Sequence, residues 1–108
     1  MTLGEHQERF AEDFVQLLSF AMAQGYKCRI GEVERPLAMQ KIYFDTGRSK
    51  TMDSRHLKKC AADVHFFKDG QICYPQELGD FWESLDPKNS WGGNWTSFKD
   101  GPHFERRA

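Results

Sequence analysis

The stretch Ala61-Ala62-Asp63-Val64-His65-Phe66-Phe67, closed by Lys68-Asp69-Gly70-Gln71, decides the fold. Its apolar and aromatic content reads as a strand, and the Asp-Gly pair reads as the tight turn of a hairpin. Ile72 to Tyr74 is then the returning strand. One carboxylate stands inside this apolar run, where burial without a partner is costly. Asp63 therefore needs either one of the many nearby basic side chains or a metal ion.

Toward the N-terminus, Phe10, Phe14, Leu17, Leu18 and Ala21 fall on one face of a helix running from Glu5 to Gln24. Gly25 ends it. Tyr26 to Val33 reads as a strand with Tyr26, Cys28, Ile30 and Glu32 on one side. Pro36 suits the first turn of a second helix, where its missing N–H costs nothing, and that helix should stop near Asp45-Thr46-Gly47. Arg48 to Ser54 is polar and reads as a loop. Toward the C-terminus, Pro75 opens a third helix carrying Leu78, Phe81, Trp82 and Leu85, which ends at Asp86-Pro87. Trp91-Gly92-Gly93-Asn94-Trp95 is a glycine-bearing aromatic turn, and Phe98 to Phe104 leads into a last extended segment. The expected architecture is α+β, about three helices on a small antiparallel sheet, in a single domain over residues 1–108.

Composition narrows the function classes. With 108 residues, 39% of them hydrophobic, the chain suits one core. A net charge of −1 with 29% charged residues argues against nucleic-acid binding by counterion release. No apolar run approaches the roughly 20 residues that span a bilayer. Met1 to Arg9 is polar, and Phe14 to Ala23 is broken by Gln16 and Ser19, so no secretory signal is expected and the chain should stay in the cytosol until something releases it. The three cysteines, Cys28, Cys60 and Cys73, lack Cys-x-x-Cys spacing and are expected to be reduced, buried small hydrophobes.

The chemistry-bearing residues gather in two places. Ser54-Arg55-His56 runs on to Asp63, and Asp100-Gly101-Pro102-His103 lies near the end of the chain. A hydrolytic zinc centre needs three nitrogen or oxygen ligands, an open position for water and a carboxylate to take that water's proton. His56, Asp63 and His103 suit the ligands, and Asp100 suits the proton acceptor. His103 sits between Pro102 and Phe104, which favours an extended backbone and a held ring. Each residue has a plainer reading: Asp100 as a turn residue of an Asp-Gly pair, and His56 as a hydrogen-bonded structural residue. Cys60 shares the strand parity of His56 while Asp63 has the opposite one, so a turn or bulge must lie between them and Cys60 stands as a rival ligand. His65 shares the face of Asp63, as a supporting partner or a competing ligand. Trp91 and Trp95 are read as packing that fixes the loop before His103 rather than as a sugar platform.

These residues carry a family resemblance. Ser54-Arg55-His56-Leu57-Lys58-Lys59-Cys60-Ala61-Ala62-Asp63 resembles the Ser-x-His-x-x-Gly-x-Ala-x-Asp signature of the D-alanyl-D-alanine carboxypeptidase and phage L-alanyl-D-glutamate endopeptidase family of zinc peptidases. Trp91-Gly92-Gly93-Asn94-Trp95 followed by Asp100-Gly101-Pro102-His103-Phe104-Glu105 is similar to its second signature, and Arg35 to Tyr43 is similar to its arginine and following helix. The resemblance implies a Hedgehog/DD-peptidase-like zinc peptidase fold with His56, Asp63 and His103 on Zn2+ and Asp100 as catalytic base. It further implies that Arg35 binds substrate or polarises the scissile carbonyl, an effect with a clear rationale beside a developing oxyanion, and that Ser54 lines the site. Lys59 stands where the family has glycine, so the backbone there cannot depend on a glycine-only conformation. The expected activity is hydrolysis of an L-alanyl-D-glutamate bond in the peptidoglycan stem peptide by a monomeric phage or prophage endolysin. The alternatives are a D-alanyl-D-alanine carboxypeptidase or dipeptidase, and a non-catalytic zinc-stabilised binding module.

Overall fold

Helix α1 (Leu3–Ala23) starts two residues before the expected Glu5 because Thr2 caps it. Thr2 Oγ1 accepts from the Glu5 N–H at 3.2 Å, while the Thr2 N–H donates to Glu5 Oε1 at 2.9 Å, a reciprocal capping box. At the other end Gly25 takes φ +90, and the Tyr26 N–H donates back to the Ala21 carbonyl at 3.0 Å. The computed structural model describes residues 1–33, Thr46 and residues 60–108. The helix expected from Pro36 and the loop expected over Arg48 to Ser54 lie outside the described residues, except Thr46.

The strands are β1 (Lys27–Ile30), β2 (Ala61–Lys68), β3 (Gln71–Cys73), β4 (Asn89–Trp91) and β5 (His103–Arg106); helix α2 (Gln76–Leu85) and a 3-10 turn (Gly92–Asn94) complete the described elements. Two α-helices are thus seen among the described residues, against the three expected along the whole chain. The β2–β3 hairpin forms as its sequence dictates, with Asp69 (φ +53) and Gly70 (φ +76) both left-handed, the pairing that suits the strand twist. Pro75 is the residue before α2, and Asp86 ends that helix in extended conformation.

The sheet is antiparallel, in the order β1-β2-β5-β4, with β3 also paired to β2. β1 lies along one edge of β2, pairing Lys27–Ile30 with Val64–Phe67. The opposite edge is shared: β5 pairs Ala61, Ala62 and Asp63, and β3 pairs Phe66, Phe67 and Lys68. β2 therefore has a fork on that edge between Asp63 and Phe66, and the chain around Pro102 enters there, its carbonyl accepting from the Val64 N–H at 2.9 Å.

The period of two along each strand separates core from site. Ala62, Val64 and Phe66 of β2 are at most 1% exposed and meet Phe104 of β5, Trp82 of α2, and Phe10, Leu17 and Ala21 of α1. Trp82 is at the centre, edge-on to both Phe10 and Phe104, with its indole N–H donated to the Glu105 carbonyl at 3.1 Å. Each of the larger aliphatic and phenyl side chains here, such as Val64, Phe66 or Leu17, contributes about 2 kcal/mol relative to exposure. Asp63 and His103, at the alternate positions, point to the other face.

A polar cluster ties the helices to the sheet. Asp13, 1% exposed on the inner face of α1, accepts from Arg9 Nε at 3.0 Å and from Asn89 Nδ2 at 3.1 Å. Arg106, 2% exposed, meets Asp86 at 3.0 Å and His6 Nδ1 at 3.1 Å. The cysteines form no disulfides; Cys60 is fully buried, and Cys28 and Cys73 are half-buried against the core. Burial pushes the Cys28 thiol pKa up.

Candidate metal centre

Asp63 and His103 are cross-strand partners in the β2–β5 ladder. The Asp63 N–H and C=O bond toward the other edge, to Glu32 and Gly31, so the pair is the narrow, non-hydrogen-bonded kind in which side chains approach closest. His103 Nδ1 lies 3.5 Å from Asp63 Oδ1. Asp100 joins them from the preceding turn, where the His103 N–H donates to the Asp100 carbonyl at 3.1 Å. One ligand-type atom from each of Asp63, Asp100 and His103 falls within 4.8 Å of the others.

The loop from Trp91 to His103 is held from several sides. The Asp100 N–H donates to the Gly92 carbonyl at 3.0 Å, and the Trp91 indole N–H donates to the Gly101 carbonyl at 2.7 Å. A Cβ on Gly92 would collide with the Asp100 carbonyl oxygen, so only glycine allows this approach. Trp91 is 3% exposed and stacks on Phe104, the packing role expected for it. Trp95 differs: it is half-buried and its ring lies 5.1 Å from that of His103, so it walls the site instead of filling the core.

His103 is buried, which opposes its charged form. Hydrogen bonds to Asp63 and Glu105 and the charges of Glu105 and Asp100 outweigh burial and raise its pKa to about 9. Two carboxylates and an imidazole converging at the fork, in surroundings that draw positive charge, form a donor set suited to a divalent cation.

Of the residues expected at the site, the structure brings Asp63, Asp100 and His103 together. His56, Ser54, Arg35 and Lys59 lie outside the described residues. Cys60 and His65 are not in the converging group; the His65 ring instead has its Nδ1 3.3 Å from the Tyr74 hydroxyl. Glu105 was not singled out as a site residue by the sequence, yet its Oε1 is 2.8 Å from His103 Nε2. The signal available was its place two positions after His103, on the same strand face.

A family model described as D-alanyl-D-alanine carboxypeptidase matches residues 47–106, more than half of the chain and all of the converging group. The chain belongs to this family. Another similarity is to the L-alanyl-D-glutamate peptidase of Listeria phage A118, 28% identical over an alignment of 95 positions that covers 83% of this chain. The chain spans 34% of that phage protein's length. Among solved structures, the L-Ala D-Glu endopeptidase ChiX of Serratia marcescens matches with a TM-score of 0.68 and 26% identity, over 95% of this chain and 84% of that one. The α+β fold of the family is thereby the fold of this chain.

Proposed function

We propose that the protein is a zinc-dependent peptidase that hydrolyses the L-alanyl-D-glutamate bond of peptidoglycan stem peptides, acting as a phage or prophage endolysin. The observation that carries this reading is the convergence of Asp63, Asp100 and His103 at the fork of the sheet, inside the segment matched by the family. The two relatives named for L-Ala-D-Glu cleavage favour that bond over the D-alanyl-D-alanine bond in the family's description.

Asp63 and His103 would hold the zinc, with His56 as the third ligand by its place in the motif. When bound, the ion supplies a Lewis acid for the scissile carbonyl and a water acidified to a pKa of about 7. Asp100 takes the proton from the attacking water and passes it to the leaving amine. Arg35 stabilises the oxyanion, and Ser54 lines the substrate cleft. The protein works as a monomer, made in the bacterial cytosol and released to the wall.

Digestion of purified sacculi followed by mass analysis of the muropeptides tests this reading. Cleavage beside the lactyl-linked alanine is expected. Release of terminal D-alanine alone would assign the D,D-carboxypeptidase activity, the alternative that the family's description favours.

A further inference from the structure

We infer that Glu105 is a positioning residue for His103, holding the Nε2–H so that Nδ1 is the nitrogen presented to the metal; this rests on the metal-centre reading above. The two residues lie on one face of β5, both buried, with Glu105 Oε1 2.8 Å from His103 Nε2. The opposite ring nitrogen, Nδ1, is the one that faces Asp63. Glu105 is not part of the group formed by Asp63, Asp100 and His103, so it supports that group from behind.

The carboxylate is itself held. Its Oε2 lies 3.4 Å from Arg107 Nε, and Arg107 Nη2 donates to Ser90 Oγ at 3.3 Å. Ser90 is the cross-strand partner of Glu105 in β4, and it also accepts from the Trp95 indole N–H at 3.0 Å. Trp95 then returns to the imidazole by ring contact. The chain of contacts from His103 through Glu105, Arg107, Ser90 and Trp95 closes on itself and opposes rotation of the imidazole. A half-turn of the ring would put Cε1 where Nε2 stands and Cδ2 where Nδ1 stands, losing the Glu105 bond and turning Nδ1 away from Asp63. A carboxylate behind a metal-binding imidazole fixes the tautomer and raises the ligand's basicity, and its loss costs about 10–100-fold in metal affinity.

The test uses the whole chain, with zinc affinity measured against a chromophoric chelator and the His103 ring nitrogens followed by 15N NMR. Glu105→Ala should bind zinc about 10–100-fold more weakly. Glu105→Gln should stay within a few-fold of wild type, because its amide oxygen can accept the same N–H. Zinc-loaded wild type should show His103 with Nε2 protonated and Nδ1 at the metal-bound shift. The reverse assignment overturns the inference even if Glu105→Ala fails to fold, as does undiminished affinity in Glu105→Ala. Wild-type protein that takes up no zinc overturns the metal-centre reading itself, which separates the two failures.

Discussion

His103 faces Asp63 across the β2–β5 ladder with 3.5 Å between Nδ1 and Oδ1, at the point where the partner of β2 changes from β5 to β3. The opening in the sheet and the paired donors coincide, so main-chain pairing itself sets the spacing of these two donor side chains. Asp100 is brought in by a separate device, the turn before β5.

That difference predicts separable roles. Asp63→Ala should lose stoichiometric zinc, whereas Asp100→Ala should retain it and lose about 100-fold or more of its turnover. Equilibrium dialysis with metal analysis, beside a sacculus-clearing assay, reads both quantities. Loss of zinc in both variants would place Asp100 among the ligands.

Gly92→Ala should push Asp100 out of place. The added Cβ meets the Asp100 carbonyl, and displacement by about an ångström at a reacting group costs on the order of 100-fold in rate. Overpacking should also remove about 1–3 kcal/mol of stability. A folded variant with wild-type turnover would show that the loop can yield without moving Asp100.

Asp13→Ala should destabilise the fold without touching the site. Removing one partner from a buried charged pair costs about 3–5 kcal/mol, because the remaining charge keeps its desolvation penalty; a value near or below 3 fits here, where Arg9 is partly exposed. Denaturant unfolding of the two proteins measures the difference.

Asp86 predicts a pH dependence. Burial pushes its pKa up, but the Lys88 N–H, Arg106 and Arg9 outweigh burial and hold the carboxyl below its ordinary value of 3.8. The unfolded chain therefore takes up this proton first on acidification. The stability that Asp86 contributes is complete above the ordinary value and is lost as pH falls through the folded one. The gap in melting temperature between wild type and Asp86→Asn should be widest near neutral pH and narrow below about pH 4. A constant gap would remove the charge from the account.

Much of this was legible in the sequence because local chemistry and tertiary context agreed. Asp69-Gly70 marked the hairpin, Gly25 the end of α1, and Asp86-Pro87 the end of α2. β4 was not legible: Asn89-Ser90-Trp91 is short and partly polar, and only pairing with β5 makes it a strand. Asp13 was not legible either: apolar residues alone define the α1 stripe in the sequence, while the buried face runs Phe10, Asp13, Leu17 and Ala21. At the site, Asp63, Asp100 and His103 could be picked by residue type and motif. Glu105 closes the second motif, but its role was not legible there: only the strand register sets its carboxylate against a buried imidazole.

The most direct measurement of the central claim is clearing of purified peptidoglycan by the protein before chelation, after chelation, and after zinc is restored. Clearing that stops on chelation and returns with zinc, with new ends at the L-alanyl-D-glutamate bond, is the predicted result. Undiminished cleavage of that bond by the fully chelated protein would contradict it.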